Sequence, residues 1–469
     1  MTIRIALPKG RLLAETAAFL QAAGWDLEGY TPSLRNYRLR SRRFPELRAK
    51  TFHERDIPIQ VAVGHYDLGI CGLDWVEELS VRYTNRDIVK LRNLGFGKGI
   101  VCLAASPAGD TPTLDSLATA GGTVRIATEY PNLAEYLALR LRLRRFGIFA
   151  LWGSAEAYPP ENATAALLSR PGEDDVRREG LVPLMTLLRH SAFLVANRQS
   201  WEHRDLSPIL DSLEGITPPA APAAGTTPQP AGSVPAVWQV DEDTVRLALP
   251  DGHQQKHTAA LLEKAGIHLE GYGDGAISRR PSSDIAGLVV KVVRPQDMPL
   301  QVANSNFDLA ITGRDWLSDH LTVFPGSPVQ QLLDLRSARV RMVAVVSQDV
   351  PADDIFSLRQ LLSGREVPYR VASEYVNIAD RYARENRLGR YRIIPTWGAT
   401  EAFLPEDADM LIENTETGRT IKRHNLKIID TLFESTGCVI GSRNGPHSPK
   451  KQALIDRLVR ALRTAAGGE

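Results

Sequence analysis

Cysteine is nearly absent. There are three in 469 residues, Cys71, Cys102 and Cys438, far apart and without CxxC or Cys/His metal spacing. That excludes a disulfide framework and a zinc ribbon, and leaves buried thiols in a reducing compartment as the expectation. No run of about 18 apolar residues occurs, so no membrane-spanning helix is expected. Neither sign of charge dominates: 56 basic residues meet 55 acidic ones for a net +1. Such a balance supplies no electrostatic footprint for nucleic acid or an anionic membrane surface. The first residues, MTIRIALPKGRLL, lack the long apolar core of a secretion signal, and a cytoplasmic location is expected.

What the chain does have is two copies of one pattern. IRIALPKG (3–10) returns as VRLALPDG (245–252), and YDLGICGLDW (66–75) as FDLAITGRDW (307–316). RIATEYPNLAEY (125–136) returns as RVASEYVNIADR (370–381), and LWGSAEAY (151–158) as TWGATEAF (396–403). The offset stays within 241–245 residues, the mark of a tandem duplication and far too long for a solenoid repeat. Between the copies, GITPPAAPAAGTTPQPAGSVPA (215–236) is Pro/Ala/Gly-rich and nearly uncharged. Such a stretch cannot bury a core and reads as a linker. The predicted organisation is a first copy over 1–214, a linker over 215–240 and a second copy over 241–469.

Within each copy, short apolar runs alternate with helical patterns. IRIAL predicts a strand, and LLAETAAFLQAAG a helix stopped by Gly24. IQVAVGHYDLGICG predicts a strand closing in a glycine turn, with Asp74 capping the next helix. IVCLAAS and VRIATEY predict strands, and PNLAEYLALRLRLRRFG an amphipathic helix. Alternating β and α units predict α/β lobes, each a mostly parallel sheet covered by helices. Ligands then sit where strand-to-helix loops converge.

One such loop carries chemistry. In ADMLIENTETGRTIKRHNL (408–426), an apolar strand runs into ENTETGRT and then a helical segment. Gly418 permits positive φ, Thr415, Thr417 and Thr420 can donate hydroxyls, and backbone N–H groups near a helix start can converge on a phosphate. Glu413 can accept hydrogen bonds from ribose hydroxyls. The corresponding first-copy stretch, LLSRPGEDD (167–175), carries Glu173, Asp174 and Asp175 instead. A carboxylate about 4 Å from a phosphate costs roughly 4 kcal/mol at an effective dielectric of 20, about a thousandfold in affinity.

ENTETGRT after ADMLI resembles the phosphoribosyl-pyrophosphate (PRPP) loop of phosphoribosyltransferases. Together with IALPKGRL (5–12), LGFGKG (94–99), ATEYPN (127–132), RPQDMP (294–299) and DLAITGRD (308–315), it resembles the short form of ATP phosphoribosyltransferase, which opens histidine biosynthesis. The resemblance implies a bilobal fold of the type II periplasmic-binding-protein kind, twice over. Lobe I would be 1–98 with 186–213, then 244–340 with 431–465. Lobe II would be 99–185, then 341–430. It implies PRPP binding by Glu413, Thr415, Glu416, Thr417, Gly418, Arg419 and Thr420, ATP binding by Lys9 and Arg11, and catalytic roles for Arg294 and the cross-subunit Arg35. Mg²⁺ would arrive with the substrates, with no metal ligands supplied by the protein.

Each copy has lost what the other keeps. The first retains LPKGRL and LGFGKG but has His53 in place of Arg294 and an acidic loop. The second retains Arg294 and the PRPP loop, while LPKGRL has become LPDGHQ and LGFGKG has become LRSARV. One working PRPP site, in the second copy, is therefore expected, with the halves held as an intrachain pseudo-dimer at about millimolar effective concentration. Asp308 and Asp315 are read as turn and cap residues. The resemblance further implies a regulatory subunit resembling histidyl-tRNA synthetase and higher homo-oligomers. A non-catalytic nucleotide-sensing paralogue is the alternative reading.

Overall fold

The structure is a computed structural model that describes residues 2–33, 37–83, 87–107, 112–218, 238, 240–273, 278–445 and 448–467. It forms two compact units. The first comprises Met1–Ala150, Ala163–Val234 and Thr396–Phe403; the second comprises Leu151–Asn162, Pro235–Pro395 and Leu404–Glu469. A short segment of each copy therefore belongs to the unit built mainly from the other.

The first unit holds two sheets. In one, Ile3–Lys9 lies parallel to both Leu47–His53 and Leu68–Gly72, because the connections pass through the helices Leu13–Ala22 and Ile57–Ala62. The late strand Ala192–Asn197 returns to this sheet, antiparallel between Leu68–Gly72 and Ile88–Asn93. The other sheet pairs Val124–Thr128 in parallel with Phe146–Ala150 and Ala165–Arg170, while Gly99–Ala105 and Val182–His190 complete it antiparallel. Both sheets are thus mixed, parallel where helices cross over and antiparallel where the chain doubles back. Leu7, Phe19, Trp25, Leu68 and Leu194 fill the first core, and Ile126, Leu133, Leu137 and Leu167 the second.

The second unit repeats this plan. Val245–Pro250 is parallel to Leu288–Val293 and Leu309–Gly313, and the returning strand Gly437–Ser442 lies antiparallel between Leu309–Gly313 and Val329–Asp334. In its other sheet Tyr369–Ser373 runs parallel to Tyr391–Pro395 and Met410–Thr415, with Val340–Ser347 and Leu426–Ser435 antiparallel.

Two local expectations fail. IPIQVA (57–62) is a helix, not a strand: Pro58 sits in its first turn, and the strand is confined to Leu68–Gly72. A short apolar run does not distinguish the two, and the proline settles it because it cannot donate to a ladder yet fits a helix start. Asp74 and Asp315 are not caps either. The caps are Gly72 and Gly313, and each Asp lies in the first turn with its carboxylate buried. Asp308 instead ties two strand starts 62 residues apart in sequence, accepting the Arg246 N–H at 2.8 Å. All three cysteines are buried free thiols. No described helix is long and apolar enough to cross a membrane.

Candidate functional site

The strand Met410–Thr415 delivers the loop. Its first residues, Met410 and Leu411, pair with Tyr369–Ser373, while its far end, through Thr415, is held by the antiparallel ladder to Val340–Ser347 alone. Beyond it Gly418 adopts φ +72° and caps the short helix Arg419–Arg423. The turn is closed by its own threonines: Thr415 Oγ1 accepts the Gly418 N–H at 2.9 Å, and Thr417 Oγ1 accepts the Arg419 N–H at 3.5 Å. Those hydroxyl oxygens thus satisfy the N–H groups of Gly418 and Arg419. Glu416, Thr417, Arg419 and Thr420 are exposed, so the mouth is open to solvent. Glu413 accepts the Asn414 N–H at 2.9 Å.

Behind the loop lies a buried relay. Asn414 Nδ2 donates to Tyr375 Oη at 2.7 Å, and Tyr375 Oη donates to Asp315 at 2.6 Å. Ser435 Oγ donates to the other Asp315 oxygen at 3.1 Å. Burial first, then the Asp315 charge, pushes the Tyr375 phenol well above its ordinary value, so it stays a donor. Tyr375 also stacks on Trp316 with centroids 4.1 Å apart. This relay fixes the strand end that carries Glu413, and sequence reasoning missed it; the recurring Asp-Trp and Glu-Tyr pairs of both copies were its only signal.

The first-copy counterpart is chemically inverted. After Ala165–Arg170, Gly172 is extended at φ −162° and caps Glu173–Arg178. Glu173, Asp174 and Asp175 fill the first turn, where they satisfy the helix dipole. Arg177 pairs with Glu173 at 3.4 Å and Arg178 with Asp175 at 2.7 Å. Three carboxylates with local arginine partners thus stand where the second copy has threonines and Gly418.

Lys9 and Arg11 stand at the end of Ile3–Lys9. Lys9 Nζ donates to Tyr37 Oη at 3.5 Å and lies 4.9 Å from that ring's centroid. Arg11 is already committed, to Glu54 at 2.9 Å and Asp74 at 3.2 Å. Burial pulls its guanidinium down, but the two carboxylates more than offset this and hold it above the ordinary arginine value. Tyr130 Oη donates to Asp74 at 2.8 Å, repeating the Tyr375–Asp315 contact. His190, at the position of Ser435, is buried 3.8 Å from Asp74, and burial lowers its pKa.

Arg294 stands at the end of Leu288–Val293, where its Nη1 donates to Asp251 at 3.3 Å. Asp251 also receives Arg279 at 2.9 Å and Ser154 Oγ at 3.5 Å, and Arg279 pairs with Glu156 at 2.8 Å. Ser154 and Glu156 belong to the exchanged segment Leu151–Asn162, which is further held by the Trp152 N–H to Asp297 at 3.1 Å. In the first unit the reciprocal segment brings Trp397 to 4.1 Å from the Arg55 guanidinium and Phe403 to 5.2 Å from Phe52. Neither exchange was foreseen, although LWGSAEAY and TWGATEAF marked both segments as repeats. Arg35 lies outside the described residues.

A family profile described as ATP phosphoribosyltransferase matches residues 53–215 and 294–464. An ATP phosphoribosyltransferase of Prosthecochloris aestuarii is 32% identical over 223 residues, 47% of this chain and 71% of the relative. One of Chlorobaculum parvum is 30% identical over 232 residues, 48% of this chain and 73% of the relative. Among solved structures, an ATP phosphoribosyltransferase HisG–HisZ complex from Thermotoga maritima is 23% identical, with a TM-score of 0.38, covering 47% of this chain and 100% of that one. Two matched segments, one per copy, span most of the sequence: the chain belongs to the ATP phosphoribosyltransferase family.

Proposed function

We propose that this chain joins ATP to PRPP as the first step of histidine biosynthesis, with one working PRPP site, on the loop Glu413–Thr420. The observation that carries this reading is the contrast between two equivalent strand ends. One presents Gly418 at positive φ among threonines; the other presents three carboxylates. In the reaction adenine N1 attacks ribose C1, and the C1–O bond to pyrophosphate breaks with its electron pair leaving on oxygen. No protein nucleophile is required, so the work is positioning and charge stabilisation.

In this reading the loop N–H groups of Gly418 and Arg419 exchange their threonine partners for the 5′-phosphate, and Glu413 accepts from the ribose hydroxyls. Asn414, held by Tyr375, keeps Glu413 in place. Lys9 and Arg11 are assigned to nucleotide phosphates, either those of the ATP substrate or those of a vestigial or regulatory nucleotide. Arg294, in competition with Asp251, is assigned to the pyrophosphate or the ATP phosphates, and Arg35 to the cross-subunit arginine's catalytic role. Mg²⁺ enters as part of the substrate, bound to diphosphate oxygens. A histidyl-tRNA-synthetase-like regulatory subunit and association into higher oligomers belong to the same proposal.

The test is turnover of the purified chain with ATP, PRPP and Mg²⁺, followed by the ultraviolet absorbance of phosphoribosyl-ATP. Gly418→Asp is expected to lower kcat/KM about a thousandfold. Gly418→Asn, equal in shape and tolerant of positive φ, should retain most activity. Gly172→Ala, whose new Cβ would come no closer than 3.7 Å to Asp175, should leave turnover unchanged. Absence of turnover, with a synthetase-like subunit added as well, would favour a nucleotide-sensing paralogue.

A further inference from the structure

At equivalent strand ends the two copies carry opposite charges, Lys9 in one and Asp251 in the other. Lys9 meets a tyrosine, with no carboxylate among its described contacts. Asp251 is 6% exposed and is gripped by two guanidinium groups, Arg279 and Arg294, with Ser154 Oγ at the edge. This is the donor set that recognises a phosphate: two arginine forks and a hydroxyl converging on one anionic group.

We propose that Asp251 is an internal anion occupying a polyphosphate cradle made by Arg279 and Arg294, and that it competes with pyrophosphate or a nucleotide polyphosphate for that cradle. Three features carry this. The cluster of Asp251, Glu156, Arg279 and Arg294 sums to zero charge, so an incoming polyphosphate feels no net attraction while Asp251 stays in place. The arginines are nevertheless reachable, with side chains 32% and 41% exposed. Arg294 is also under-satisfied: its buried Nε has no hydrogen-bond partner among the described residues. Gly153 lies against the guanidinium so closely that a Cβ there would come within 2.8 Å of Nε, which fixes where the fork points. Because Asp251 is tethered and already ordered, it loses little entropy on pairing, and a free polyphosphate must outbid it. Asp251 is thereby a specificity-determining residue of the second copy. It withholds Arg294 from diphosphate groups unless the ligand brings further contacts of its own, such as those of the PRPP loop. The link to catalysis rests on the proposed function; the cradle does not.

The experiment is therefore read without turnover. Wild type and Asp251→Asn are melted in a phosphate-free buffer with rising tripolyphosphate, and tripolyphosphate binding is measured by calorimetry. Removing the internal anion leaves Arg279 with Glu156 alone and takes from Arg294 the carboxylate of Asp251, so Asp251→Asn should melt lower without ligand. Tripolyphosphate should then raise its midpoint by a few degrees more than that of wild type and bind with one extra equivalent. Adding Arg294→Gln to Asp251→Asn should abolish the extra shift and the extra equivalent. If Asp251→Asn responds to tripolyphosphate as wild type does, whether or not it is less stable, the cradle does not exist and Asp251 is only one partner of a structural ion pair.

Discussion

Glu161 shows how much one side chain in an exchanged segment can hold. Its carboxylate receives Arg280 at 2.6 and 2.8 Å and Lys291 at 2.9 Å, while Trp238 donates its N–H at 3.2 Å. Lys291 is fully buried, bonded also to Asn162 Oδ1 at 2.7 Å, and the Trp238 ring lies 4.6 Å from its Nζ. Burial works against the carboxylate, but Arg280 and Lys291 overcome it and hold Glu161 at about 2. Burial, then Arg280, pushes Lys291 down to about 7. The sign for Glu161 follows from its depressed folded pKa: its stabilisation is fully present above the ordinary value of 4.5 and is lost as pH falls toward 2. Glu161→Gln should therefore cost about 3 kcal/mol near neutrality, by removing the carboxylate that Arg280 and Lys291 share. In acid melts between pH 4.5 and 2 the gap to wild type should close; a gap constant with pH would refute the assignment. None of this was legible in the sequence, where Glu161 and Lys291 stand 130 residues apart. The loop threonines and Gly418 were legible because their chemistry is local: a turn needs its glycine and its hydroxyls within a few consecutive positions.

At the scale of an element, the sequence hid a conserved shape behind changed residues. LGFGKG and LRSARV share little, yet Gly95 and Gly97 at φ +81° and +61° are matched by Arg336 and Ala338 at +51° and +49°. Each turn starts with the same bond, Asn93 Oδ1 accepting from Gly95 N and Asp334 Oδ1 from Arg336 N, both at 2.8 Å. What differs is the room. A Cβ on Gly97 would lie 2.2 Å from Leu12 Cδ2, so any side chain there must push the buried Leu12 aside. The second copy bears left-handed non-glycine residues at some backbone cost. Ala338→Gly should relieve that strain, less the extra freedom gained by the unfolded chain, for a net stabilisation of about 0.5–1 kcal/mol and a midpoint roughly 2 °C higher. Gly97→Ala should destabilise, and calorimetry of the two variants side by side would decide. The strands and most helices were legible because their apolar periodicity is strong. IPIQVA was not, because a six-residue run whose one polar member is Gln60 fits either period and only Pro58 tips the choice.

For the whole molecule, duplication was legible from the near-constant offset, but the reciprocal exchange was not, since it depends on contacts that no local pattern announces. Its consequence is that neither copy carries a complete unit. The stretch before residue 215 lacks Thr396–Phe403, whose Phe403 packs edge-on against the fully buried Phe52 and whose Trp397 covers Arg55. The stretch after residue 240 lacks Leu151–Asn162, which supplies Glu161 and Asn162 to the buried Lys291 and Glu156 to Arg279. Uncovering an aromatic side chain costs roughly 1.5–3 kcal/mol of lost burial, and uncovering a paired buried lysine costs about as much again. Residues 1–214 and 241–469 expressed separately should thus each melt well below the intact chain, and mixing the two should restore most of the lost midpoint. The two deficits differ in kind. The first half loses aromatic contacts, so its melting should be insensitive to salt. The second loses ion pairs, so its recovery on mixing should weaken as ionic strength rises. Separate halves as stable as the intact chain would mean that the exchanged segments contribute nothing to either unit.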